Sequence, residues 1–275
     1  MPERTIVITG ASDGIGAAAA RALAATGDRV VVVGRSPQKT AAVAAEIGAE
    51  SYVADFARLD DVRGLAAALL ARYPRIDVLA NNAGGIMGDR NETVDGHEKT
   101  FQVNHLGPFL LTTLLIDRLV ASRARVIATS SVANRIFGHL EIGDLEARAQ
   151  YRPNKAYGDA KLANILFTRE LHRRYSSAGI SAAAFHPGGV ATNFAADSTS
   201  PMRIVYTSVL KRALISPEKG ADTLVWLATT EPGAQWVSGG YYEKRRIAKA
   251  NPQAADADLA RELWERSAAM VGRAG

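Results

Sequence analysis

The chain has 275 residues, 47% of them hydrophobic and 22% charged, with a formal net charge of +5 and no cysteine. That length and apolar fraction suit one large α/β domain with a sizeable core, and the missing thiols exclude disulfides, thiolate nucleophiles and cysteine metal sites. The basic residues are scattered in short groups such as Arg173–Arg174 and Lys244–Arg246, a pattern that argues against nucleic-acid binding.

The opening MPERTIVITG lacks the charged-then-apolar layout of a secretion signal. The longest apolar stretch, around Leu106–Ile116, contains Gly107, Pro108 and two threonines and is shorter than the roughly 18–20 residues that a membrane span needs. A cytoplasmic protein without a membrane anchor is expected. Along the chain, short apolar runs rich in β-branched residues alternate with helical patterns, the signature of a parallel sheet with helices on both faces. No linker, repeat or low-complexity segment interrupts them, so residues 1–275 are read as a single domain.

The first run, TIVITG, leads into TGASDGIG, Thr9–Gly16. Glycines at 10, 14 and 16, between a strand and the helical segment Gly16–Thr26, let backbone approach a pyrophosphate at a helix N-terminus. Thr9, Gly10, Ser12, Asp13, Gly14, Ile15 and Gly16 are therefore candidate cofactor contacts; the alternative is a plain strand–helix turn. The second run continues as VVVVGRSPQK before the helix Gln38–Ile47. Folds that bind NAD place an acid here against the adenosine ribose. Gly34 holds that place and Arg35 follows, with Ser36 and Lys39 near. Arginine pairs with a 2′-phosphate that an acid would repel, so NADP(H) is expected over NAD(H). A mildly basic surface would help to gather it. Asp55 closes the third run, ESYVAD, with Phe56 beside it. Asp55 can accept from the adenine amino group or cap the helix Leu59–Arg72.

The fourth run is DVLANNAG, and a long helical stretch within Glu98–Val120 follows. RVIATSS is the fifth run, and SAAAFHPG comes after the helix Tyr157–Tyr175. On that helix Tyr157 and Lys161 are four residues apart, hence on one face. A phenol titrates near pH ~10, and a neighbouring cation lowers that value, which would poise Tyr157 for proton exchange with an alcohol or carbonyl. Tyr151 and Lys155 have the same spacing, but Pro153 lies between them and need not leave them on one face. The piece from Ala195 to Ser216 breaks the alternation and reads as a lid over a substrate. The five histidines show no metal-ligand spacing, and no metal is expected.

In order along the chain stand TGASDGIG, NNAG (81–84), VNHLG (103–107), SS (130–131), YGDAK (157–161) and HPGGVAT (186–192). Together they resemble the short-chain dehydrogenase/reductase family over nearly the whole chain. That resemblance implies a Rossmann-type domain transferring hydride between a nicotinamide and a carbonyl or alcohol. Tyr157 is then the acid/base, and Lys161 its partner and a ribose contact. Ser131 bonds the substrate oxygen, and Asn104 supports a water relay to Lys161. Asn82, Ala83 and Gly84 line the nicotinamide, while Pro187, Gly188, Val190 and Thr192 fix its carboxamide. FQVNHLGPFLLT, KLANILFTREL, the tail from Ser238 and the 26 residues from Ser131 to Tyr157 are similar to the retinol dehydrogenase and WW-domain oxidoreductase branch. The segment IFGHLEIGDLEARAQYRPNKA would border the active site. In many members the Tyr157 helix and the one before it make dimer faces, so a homo-oligomer is open. The alternative function is a dinucleotide-binding sensor or interaction protein without turnover; intact Ser131, Tyr157 and Lys161 weigh against it.

Overall fold

A computed structural model describes residues 3–189 and 215–272. The expected lid near 195–216 therefore falls, except for its last two residues, outside the described residues, as do Val190 and Thr192. Among the described residues, eight strands form one sheet: β1 (Thr5–Thr9), β2 (Arg29–Gly34), β3 (Glu50–Val53), β4 (Val78–Asn81), β5 (Arg125–Thr129), β6 (Ser181–His186), β7 (Gly240–Glu243) and β8 (Arg246–Ile247). Their order is β3-β2-β1-β4-β5-β6-β7-β8. All neighbours pair in parallel except β7 and β8. The six runs read from the sequence are β1 to β6. The last two strands are not among those runs: β7 carries two buried tyrosines, Tyr241 and Tyr242, and β8 is an exposed Arg-Ile pair.

The doubly wound arrangement follows from the strand sequences. Side chains alternate across a strand, and here both faces are apolar. Ile6 and Ile8 pack into one core, which holds α1 (Gly14–Ala24), α2 (Pro37–Ile47) and α9 (Pro217–Thr229). Val7 packs into the other, with α3 (Leu59–Arg72), α5 (Gly107–Leu114), α8 (Pro153–Tyr175) and α10 (Ala257–Met270). From β1 the chain winds outward through β2 and β3, then crosses back to β4 and winds the other way. A crevice opens at the carboxyl ends of β1 and β4, where doubly wound sheets bind ligands.

Three helical features differ from the sequence reading. The long stretch after Glu98 is not one helix. It runs as α4 (Lys99–Phe101), a π-helical turn (Gln102–Leu106), α5, and α6 (Ile116–Ser122). Pro108 has no N–H for the preceding turn, and the wide π turn accommodates it while directing Asn104 inward. Second, α8 starts at Pro153, a turn before Tyr157, because proline suits the first turn of a helix. Tyr151 lies outside it and donates to the Gly88 carbonyl, 3.0 Å. Third, α10 covers α8. Trp264 stacks on Phe167 (5.6 Å, 14°) and meets Phe109 edge-on (5.0 Å, 74°). The C-terminal helix thus covers an aromatic face of α5 and α8 within the same chain.

Candidate active site

A cleft of about 540 Å³ lies at the crevice. Its first wall is the β1–α1 turn. Gly10 and Gly14 have φ of +65° and +54°, a region glycine enters without strain. A Cβ on Gly10 would stand 2.8 Å from Ala83 Cα, so the turn meets the 82–84 loop backbone to backbone. Thr9 locks the two. Its Oγ accepts from the N–H groups of Asn82 and Ala83, each at 3.0 Å, and donates to the Ala80 carbonyl at 3.2 Å. Asn82 returns a bond from Nδ2 to the Thr9 carbonyl, 3.0 Å. Thr9 is fully buried behind the cleft and acts on the loop; Gly10, Ser12, Asp13, Gly14, Ile15 and Gly16 line the cleft itself.

At the β2 end, Gly34, Arg35, Ser36 and Lys39 line the same cleft. A Cβ on Gly34 would stand 2.4 Å from Thr40 Oγ and 2.7 Å from Ser12 Cβ. A side chain in the place where an acid would read a ribose would have to displace Thr40 or Ser12. Gly34→Asp is expected to destabilise the fold by about 2 kcal/mol or more, read as a lowered midpoint in chemical denaturation; an unchanged midpoint would contradict this packing. Lys39 Nζ lies 3.1 Å from Asp13 Oδ2, an exposed pair worth little in stability. Asp55 does not cap α3, whose N-cap is Arg58 without a side-chain bond. It accepts from the Ala57 N–H at 2.9 Å in an Asx turn, and with Phe56 it lines the cleft.

The opposite end holds Ser131, Tyr157 and Lys161, with Asn82, Ala83, Gly84, Pro187 and Gly188. Lys161 is 1% exposed. Its Nζ sits 5.4 Å from the Tyr157 ring centroid and donates to the Thr129 carbonyl at 3.1 Å. Burial pushes the Lys161 ammonium down to about 7, because desolvation disfavours the charged form. The two serines have separate tasks. Buried Ser130 donates to the Lys161 carbonyl at 2.7 Å and fastens β5 to α8. Ser131, half-buried, accepts from the Ala133 N–H at 3.2 Å on the cleft wall.

Asn104 is fully buried and does not line the cleft. It accepts from the Gly85 N–H (3.1 Å) and donates to the carbonyls of Gly85 (2.9 Å) and Thr100 (2.8 Å), holding the 84–85 loop against the π turn. Gly85, Ile86, Met87, Val103, Thr129 and His186 also line the cleft and were not singled out from the sequence. The run GGIM directly after NNA was the available signal: small then apolar residues at a strand's carboxyl end. Among the described residues, no three His, Asp or Glu side chains come together as a metal site.

The family model for short chain dehydrogenase matches residues 4–203. The chain is 44% identical over 279 residues to a proposed daunorubicin C-13 ketoreductase of Streptomyces sp. (strain C5), covering 99% of this chain and 94% of that protein. Human retinol dehydrogenase 13 is 36% identical over 289 residues, covering 99% of this chain and 86% of that protein. Among solved structures, the Pseudomonas aeruginosa RhlG/NADP active-site complex is similar with a TM-score of 0.69 at 26% identity, covering 86% of this chain and 93% of that chain.

Proposed function

The chain belongs to the short chain dehydrogenase family of oxidoreductases, and from that premise we propose an NADP(H)-dependent enzyme that uses Tyr157 to exchange a proton with a carbonyl or alcohol substrate. One observation carries the reading: a single cleft joins Arg35, Ser36 and Lys39 to Ser131, Tyr157 and Lys161. The residues fit an extended dinucleotide. Gly10, Gly14, Gly16 and Gly84 bring backbone to the wall between the two ends, and at Gly84 a Cβ would stand 2.4 Å from Asn104 Oδ1 and 3.2 Å from Lys161 Nζ.

The nicotinamide, when bound, gives or takes the hydride. The side chains supply the rest. Ser131 donates a hydrogen bond to the substrate oxygen, where negative charge develops during reduction. Tyr157 passes its phenolic proton to that oxygen, or takes it back in the oxidative direction. Lys161, desolvated beneath the ring, stabilises the phenolate left behind. Ile86, Met87 and Val103 give the cleft apolar walls, which suit a hydrophobic substrate. The relatives' names point to a C-13 ketone and to retinol, and a hydrophobic ketone or alcohol is the class we assign here.

Titration of the purified protein with NADPH and with NADH, followed by fluorescence, tests the cofactor. NADPH is expected to bind at least tenfold more tightly. Arg35→Asp is expected to weaken NADPH binding about 10- to 100-fold, as loss of a charge-assisted bond plus repulsion implies, and NADH binding less than threefold. Equal losses for both would remove Arg35 as the phosphate reader, and failure to bind either cofactor would remove the whole reading.

A further inference from the structure

A line of buried polar groups runs from the C-terminal helix to Lys161. Ser267 on α10 and His105 on the π turn lie with Ser267 Oγ 2.9 Å from His105 Nε2. His105 Nδ1 lies 3.4 Å from Asn164 Oδ1 on α8. Asn164 Nδ2 donates to the Thr129 carbonyl at 3.1 Å, the same oxygen that accepts from Lys161 Nζ. Ser267, His105 and Asn164 are all at most 5% exposed.

The direction of every bond follows from the one group that cannot change. A carbonyl only accepts, so Asn164 must turn its NH₂ toward Thr129. Its Oδ1 then faces His105, whose Nδ1 must carry a proton. Burial lowers the His105 pKa to about 4, leaving the ring neutral near pH 7 with a single N–H. Nε2 is then an acceptor, and Ser267 donates to it. The rings of Phe101, Phe109 and Phe167, with centroids 5.0, 6.1 and 6.3 Å away, enclose the imidazole and exclude competing water.

We propose that His105 and Asn164 are positioning residues for Lys161: their hydrogen-bond line fixes the Thr129 carbonyl, and through it the place of the Lys161 ammonium beneath Tyr157. Lys161 and Asn164 stand three residues apart on one face of α8, so both reach that oxygen. With Asn164 gone, the carbonyl peptide loses its second donor, and the ammonium loses a fixed anchor. The effect falls on turnover. Cofactor binding is carried largely from the other end of the cleft and changes little. The proposal rests on the assignment of Lys161 as the partner of Tyr157.

The test has two parts. Nitrogen-15 NMR of the wild-type histidine rings, with His105 assigned by its loss in His105→Asn, is expected to show the Nδ1–H tautomer at pH 7. The Nε2–H tautomer would overturn the proposal, and this readout needs no turnover. In kinetics, Asn164→Leu and His105→Leu are expected to lose 10- to 100-fold in kcat with KM for NADPH within threefold. His105→Asn places an amide nitrogen where Nδ1 stood and is expected to recover most of the loss. Wild-type kcat in Asn164→Leu would overturn the positioning role while an inactive Lys161→Met left the enzyme reading standing. An active Lys161→Met would instead undo the reading of Lys161 itself and this proposal with it.

Discussion

Tyr157→Phe is expected to lower kcat by three orders of magnitude or more, with the NADPH dissociation constant unchanged within twofold. The loss corresponds to about 4 kcal/mol of transition-state stabilisation. It isolates one atom. The ring is 5% exposed and packs with Ile86 and Ala133, and phenylalanine fills that place, so fold and cleft survive. What goes is the proton that the substrate oxygen needs. Steady-state kinetics on a hydrophobic ketone, alongside a cofactor titration, gives both quantities. A variant within tenfold of wild type would mean that the proton comes from elsewhere, and the role given to Tyr157 would fall.

Lys161→Met is expected to abolish turnover and yet stabilise the cofactor-free protein near neutral pH. The sign follows from protonation. In the unfolded chain a lysine titrates near its ordinary value of 10.5, whereas in the fold burial brings it to about 7. Between those values the unfolded state binds more protons, so stability rises with pH across that window. Below about pH 7 the penalty of holding the ammonium out of water is fully present. At about 1.4 kcal/mol per pH unit, its removal is worth a few kcal/mol at most. Methionine leaves the Thr129 carbonyl satisfied by Asn164. Thermal melts at pH 7 are expected to place the variant several degrees above wild type, and the gap is expected to close toward pH 10. A variant less stable than wild type at pH 7 would show that the buried ammonium is held by attractions that outweigh its desolvation.

Much of the fold was legible because burial on both faces leaves a plain mark. Val30 to Val33 form an unbroken β-branched run since neither side of β2 meets water. The glycines at 10 and 34 were legible for a related reason: backbone packs where side chains would collide. The π turn was not legible, because Gln102–Leu106 has the same apolar spacing as an α-helix and only the wider turn sets Asn104 apart. Nor were the supports of the site. His105 and Ser267 are 162 residues apart in sequence, and no local periodicity reports such a contact. The individual tasks of Thr9 and Ser130 lay in hydrogen-bond partners, which a motif does not specify.

The C-terminal helix also sets an order of events during synthesis. The cleft-lining turns, from Gly10 to Gly84, leave the ribosome early and can pair as β1, β2 and β4 form. Phe109 and Phe167 emerge next, and Trp264 and Ser267 only near the end. Until they do, the apolar face of α5 and α8 has no cover and His105 no donor at Nε2. A nascent chain with every cleft-lining loop of its first half complete therefore still has an unfinished anchor for its lysine. Over that interval the exposed aromatic face is the surface by which chaperones, or other unfinished copies, would meet it.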